Sequence, residues 1–203
     1  DGSLVVRAGA GFRHRNGVTL PAGITEDREI RARYLVNSEG LRLNSDTRRA
    51  DGYLAARYEK EGWGWAALSS SVYDVERGVP PEAHQDGPRL WRYPEQKRLF
   101  IALSGGTGEQ ETGGGLGSLE FSFGLDASSS QIDQYDTEAF RRVIGREAAD
   151  DRTVTLRAEG DHTLGSRGAL RSAFTFAEVE RDEVLTPGGV ASYRQRLWSL
   201  GIE

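Results

Sequence analysis

Ser118-Leu119-Glu120-Phe121-Ser122-Phe123-Gly124-Leu125-Asp126 alternates residue by residue between oily and wet side chains. Successive Cβ atoms of an extended chain point to opposite faces. Leu119, Phe121, Phe123 and Leu125 therefore share one face, and Ser118, Glu120, Ser122, Gly124 and Asp126 share the other. A helix would scatter the same large apolar side chains around its circumference. The stretch reads as a strand with one oily side and one wet side.

The same alternation recurs along the chain. Leu4, Val6, Ala8, Ala10 and Phe12 oppose Val5, Arg7, Gly9, Gly11 and Arg13. Leu99, Ile101 and Leu103 oppose Arg98, Phe100, Ala102 and Ser104, and Val154, Leu156 and Ala158 oppose Thr153, Thr155, Arg157 and Glu159. Leu170, Phe174 and Phe176 share a side on which Ser172 is the exception, and Trp198, Leu200 and Ile202 close the series. The segments around Tyr53 to Tyr58 and Trp63 to Tyr73 alternate less cleanly, and their faces are left unassigned. Eight strands are expected, near 3–13, 47–59, 62–74, 89–104, 116–127, 151–160, 167–179 and 190–202. Each is long: a typical soluble strand has about five or six residues, whereas a tilted strand crossing a bilayer needs about nine to eleven.

Between these strands the linkers run roughly 33, 2, 14, 11, 23, 6 and 10 residues, long and short in strict alternation. Outer-membrane barrels have short periplasmic turns and longer external loops. The segment 128–150 is expected as one of the long loops, with a helical turn or two over Asp136 to Ile144. Trp63, Trp65, Tyr73, Trp91, Tyr93, Tyr193 and Trp198 lie mostly near proposed strand ends, as in an interfacial aromatic belt or in ordinary β-core packing.

Composition removes several classes. The chain has 203 residues, a formal charge of −5, no cysteine and no methionine, and a mean hydropathy of −0.56. Its longest apolar run, Leu99 to Leu103, is far short of the roughly 20 residues of a membrane helix. Net negative charge argues against nucleic acid as a partner, and the lack of cysteine excludes disulfide scaffolds, zinc ribbons and thiol nucleophiles. The chain opens Asp1-Gly2-Ser3 without a methionine or a leader and is expected to be a piece of a longer protein.

No constellation for catalysis emerges, and none is expected: the chain reads as a non-enzyme without cofactor or metal. His14, His84 and His162 are far apart in sequence and lack metal-ligand spacing. Gly115-Leu116-Gly117-Ser118-Leu119 is not a nucleophile elbow. The Gly105 to Gly115 run lacks the Lys-Ser/Thr and the helix of a phosphate loop and reads as a flexible turn. Glu120 and Asp126 on one strand face are separated by about 20 Å, beyond the roughly 5–9.5 Å of a glycosidase carboxylate pair.

Arg77-Gly78-Val79-Pro80-Pro81-Glu82, followed by Pro88-Arg89-Leu90-Trp91-Arg92-Tyr93-Pro94, resembles a loop and returning strand of the barrel of TonB-dependent outer-membrane receptors. Asn44-Ser45-Asp46 leading through Asp51-Gly52-Tyr53 into a strand is similar to the same family, as is the closing run from Tyr193 to Glu203. The resemblance covers most of the chain as pattern rather than as one diagnostic motif. It implies an all-β membrane barrel segment, about eight long antiparallel strands in an up-and-down meander, forming an open curved sheet when cut from a barrel of roughly 22 strands with a plugged lumen. Residues 1–203 would be part of the transmembrane barrel domain, without the plug domain and without the barrel ends, since the coupling box, the plug and a terminal aromatic are absent. A complete eight-strand barrel is the rival membrane reading. The implied function is import of a scarce nutrient, such as a siderophore-iron complex, cobalamin or a glycan, at the cell outer membrane. The implied partners are that small-molecule ligand, outer-membrane lipid, the parent chain's plug domain and a TonB-type energy-coupling complex reached through the missing N-terminal part. The alternative is a soluble β-sandwich that binds glycans.

Ligand contact is expected on the segment from Arg77 to Tyr93. Arg77, Arg89 and Arg92 suit anionic chelates through bidentate hydrogen bonds, and Trp91 and Tyr93 suit stacking on a catecholate, corrin or sugar ring. The competing reading makes Trp91 and Tyr93 belt residues and gives the arginines to lipopolysaccharide phosphates or to nothing.

Overall fold

The alternating segments become strands of one antiparallel sheet. A computed structural model describes residues 2–23, 28–33, 35–85 and 87–203, so Asp1 lies outside the described residues. The elements are β1 (Gly2–Arg15), a short α1 (Arg28–Arg33), β2 (Thr47–Lys60), β3 (Gly64–Val79), β4 (Trp91–Gly106), β5 (Gln110–Thr112), β6 (Gly115–Tyr135), β7 (Val143–Thr163), β8 (Ala169–Thr186) and β9 (Val190–Ile202). The order across the sheet is β1-β2-β3-β4-β6-β7-β8-β9, with the three-residue β5 paired to β6. The sheet is an open up-and-down meander whose edges are β1 and β9.

Two expectations about the linkers fail. Residues 128–150 are not a long loop: β6 and β7 are 21 residues each, and only 136–142 separates them, with no helix there. The strict alternation of long and short linkers fails with it. The connection 107–114, which holds β5, is longer than 136–142, and 164–168 is longer than 187–189. The reason is physical. Ser128-Ser129-Ser130-Gln131 and Arg181-Asp182-Glu183 present polar groups to both faces, so apolar alternation stops while the backbone ladder continues.

Pairing assigns the faces that sequence left open. Residues directly opposite across antiparallel strands share a face. One such row runs Leu4, Tyr58, Ala66, Gly105, Phe121, Ala158, Phe174 and Leu200. It is apolar in all eight long strands, apart from the Tyr58 hydroxyl. The row beginning at Ala8 runs Leu54, Ser70, Ile101, Leu125 and Val154 but ends on Glu178 and Arg196. The row beginning at Phe12 turns polar by β3, at Asp74 and Lys97.

The oily side is thus a band oblique to the rows. Its upper edge passes from Phe12 and His14 on β1, through Val72 and Asp74 on β3, to Trp198 and Arg196 on β9, a fall of three rows over seven strand steps. Three rows are about 20 Å along a strand and seven steps about 34 Å across it, a slope of about 30°. On β1 the band from Leu4 to Phe12 is about 26 Å long.

Nothing among the described residues covers this band. Phe12 is 67% exposed, Phe121 55% and Trp198 74%, and within the strands Ala149 is the one buried apolar side chain among the described residues. Ordering a residue's backbone costs about 1–2 kcal/mol, and a ladder hydrogen bond contributes a net of only about 0.5–1.5 kcal/mol. A sheet that buries so little of its own apolar surface needs its oily side covered from outside these residues.

Candidate functional site

Arg77, Arg89, Trp91, Arg92 and Tyr93 do gather at one end of the sheet, where β3 leaves and β4 returns. Arg77 stands opposite Tyr93, Gly78 opposite Arg92 and Val79 opposite Trp91. A bulge at Pro94 and Glu95 interrupts β4. Proline has no N–H for the ladder, so a bulge is where it fits. The extra residue switches which side of β4 faces which way. Tyr93 therefore shares the wet side with Arg77, while Arg92 rises above the apolar band on the other side, opposite Gly78 and Asp133.

Arg92 is occupied. Its Nη1 and Nη2 donate to the two carboxylate oxygens of Asp46 at 2.8 and 2.6 Å, and Nη1 also donates to Asn44 Oδ1 at 2.7 Å. Glu76 lies 3.7 Å away. Asn44 Nδ2 donates to the carbonyls of Val79 and Trp91, both at 2.7 Å. Ser45 Oγ donates to Arg42 O at 2.6 Å and accepts from Val18 N at 2.8 Å, and Arg42 donates to Pro81 O at 2.9 Å. Asn44 and Ser45 are buried, and every one of these polar contacts satisfies a group that burial would otherwise penalise. Hydrogen bonds from Arg92 come first among the causes that hold the Asp46 carboxyl below its usual range, against the opposing effect of burial. Together these residues clamp the 16–46 loop onto the start of β4.

The other cations are also engaged. Arg89 pairs with Glu82 and lies 4.8 Å from the centre of the Trp91 ring. Arg77 lies 4.7 Å from the Tyr93 ring centre and donates to Gln96 Oε1 at 3.0 Å. The two rings offered to a ligand by sequence reasoning therefore each carry a guanidinium of the same chain. Sequence reasoning missed Asn44 and Asp46 as partners of Arg92, and Ser45 as the residue that ties down the loop beside them. Their signal was the Asn-Ser-Asp run itself, read only as the lead into β2 that resembles the receptor family.

Much of the wet side is laced with ion pairs. Arg98 donates to Asp126 at 2.8 Å, Arg181 to Asp151 at 3.0 Å, and Arg157 pairs with Glu159. The histidines stay apart: His14 bonds Asn16, His162 bonds Thr112, and His84 is exposed. Among the described residues no group of three or more His, Cys, Asp or Glu is arranged to hold a metal. Comparison of the chain with protein-family models, with curated proteins and with solved structures found no match.

Proposed function

We propose that the chain is a stretch of the barrel wall of a TonB-dependent outer-membrane receptor, a binding and passage device that imports a scarce nutrient such as a siderophore-iron complex, cobalamin or a glycan. The oblique apolar band carries this reading. A bilayer is a flat slab, and barrel strands cross it at a tilt of about 35–45°, so hydrocarbon cuts across the hydrogen-bonded rows at an angle. The band on this sheet does so at about 30°, and its length of about 26 Å along β1, about 23 Å in height at that tilt, is close to the roughly 25 Å band of such barrels. On each long strand it ends at a charged or polar side chain: His14, Arg48, Asp74, Lys97, Ser129, Arg152, Glu178 and Arg196.

The sense of the drift supports an oily exterior. Arg171, on the wet side of β8, exchanges both backbone hydrogen bonds with Glu203 beside β9, so its oily-side neighbours direct theirs to β7. For L-residues, a side chain pointing at the viewer from an upward strand has its N–H and C=O on the right. Viewed onto the oily side, β7 then lies to the right of β8, and strand numbers rise to the left. Barrel strands seen from outside lean to the right as they rise, which lifts each row toward the left. A level slab then meets successively lower rows as strand numbers rise, which is the observed drift. The unpaired edges of β1 and β9 fit continuation of the wall by further strands, and the wet side fits contact with a plug domain. Energy would come from a TonB-type coupling complex acting through that plug.

Fractionation of cells and flotation of this chain with lipid vesicles test the proposal. The parent protein is expected in the outer-membrane fraction, and this chain is expected to float with vesicles and to aggregate in plain buffer. A soluble monomer that unfolds cooperatively without detergent would contradict the proposal and favour the glycan-binding sandwich.

A further inference from the structure

On the wet side, Arg13 and Arg15 of β1, Arg49 of β2 and Arg77 of β3 line one open cleft of about 510 Å³, together with Tyr73 and Gln96. No acidic side chain lines it, although the chain as a whole carries a charge of −5. Arg13 and Arg49 stand directly opposite each other on adjacent strands, an arrangement that disfavours folding. Elsewhere on this side Arg98, Arg157 and Arg181 each meet a carboxylate. In the cleft only Arg49 does, donating to Asp51 at 2.8 Å. Arg77 has the neutral acceptor Gln96, Arg15 reaches Ser45 O at 3.5 Å, and Arg13 has no acceptor among the described residues.

We infer that this cleft binds a small polyanion carrying two or more carboxylate or phosphate groups. The arginines come from three adjacent strands, so the anionic groups they reach span about 10 Å, two strand spacings. A guanidinium presents a rigid fork that matches carboxylate and phosphate oxygens two at a time. A bound polyanion would offset the repulsion between Arg13 and Arg49 across the two strands. As a cargo site the cleft rests on the barrel reading; as an anion site it rests on these four side chains.

The test is calorimetric titration of the full chain in detergent micelles with citrate and with pyrophosphate at fixed ionic strength, with acetate as the singly charged control. Saturable one-to-one binding of at least one polyanion is expected, with acetate inert. Arg13→Ala and Arg77→Ala are each expected to weaken it about tenfold, the loss of one charge-assisted contact. Arg157→Gln, outside the cleft, is expected to leave it unchanged, and far-UV circular dichroism checks that each variant keeps its sheet. No saturable heat with either polyanion, or equal affinity in the Arg13→Ala, Arg49→Ala double variant, would overturn the inference. Vesicle flotation of the same preparation separates the two readings: flotation without polyanion binding removes the cleft alone, and binding without flotation removes its role as a cargo site.

Discussion

A Cβ added to Gly78 would lie 2.3 Å from Asn44 Oδ1 and 2.4 Å from the Asn44 carbonyl oxygen. Asn44 itself takes a left-handed backbone conformation, φ 54°, which a short polar side chain tolerates better than most. The 16–46 loop therefore meets β3 backbone to backbone, with no room for a side chain between them. Gly78→Ala is expected to displace Asn44 and cost about 1–3 kcal/mol, the usual penalty of overpacking. Limited proteolysis checks this: cleavage within 16–46 should speed up while the sheet stays intact. Unchanged cleavage would show that the contact does not hold the loop.

The clamp is also expected to respond to acid. Asp46 has a carboxyl pKa held below the ordinary aspartate value of 3.8, chiefly by hydrogen bonds from Arg92. A carboxyl whose pKa falls on folding contributes stability that is present above its unfolded value and is lost as pH drops through the folded one. Loop protection should therefore persist at neutral pH and down to about pH 4, then disappear below it. Pepsin cleavage within 16–46, followed between about pH 5 and pH 2, reads the transition. In Arg92→Ala the loop should already be open at the upper end of that range, because Asp46 and Asn44 lose their shared donor.

Polarity on the two faces should matter unequally. Phe123 lies in the middle of the band, between Leu103 and Leu156, whereas Ser122 points to the wet side between Ser104 and Arg157. An arginine at the bilayer midplane of a barrel costs about 2–4 kcal/mol. Phe123→Arg is expected to lose that much stability in vesicles, measured by urea titration of folded protein, and Ser122→Arg much less. Equal losses would mean that the two faces share one environment.

Sequence carried the band and little above it. Leu119 to Leu125 was legible because each oily residue has a wet neighbour, and six of the eight long strands follow from the same contrast, all but β2 and β3. Ser69-Ser70-Ser71 in β3 hid its faces, since small polar residues suit either side; pairing of Leu68 with Leu103 and of Val72 with Leu99 settles them. Strand segments such as Ser128 to Gln131 were read as loop because both of their faces are wet. At the candidate site, the nearness of Arg77, Trp91 and Tyr93 was legible within one short segment. The occupation of Arg92 by Asp46 was not, because the pairing depends on how a distant loop folds back. The cleft of Arg13, Arg15, Arg49 and Arg77 was invisible for the same reason: its members meet only through the register of three strands.

The sequence has no cysteine, so every introduced one is unique. Spin labels placed singly at residues 119 to 126 of β6, in the full chain reconstituted into vesicles, test the central claim most directly. Labels at Phe121, Phe123 and Leu125 should collide with oxygen dissolved in hydrocarbon and be shielded from a water-soluble nickel chelate, and labels at Ser122 and Gly124 should not show that oxygen preference. Labels at Phe121 and Phe123 that are immobile and shielded from both reagents would mean that protein, not lipid, covers the oily side, and the account would fail.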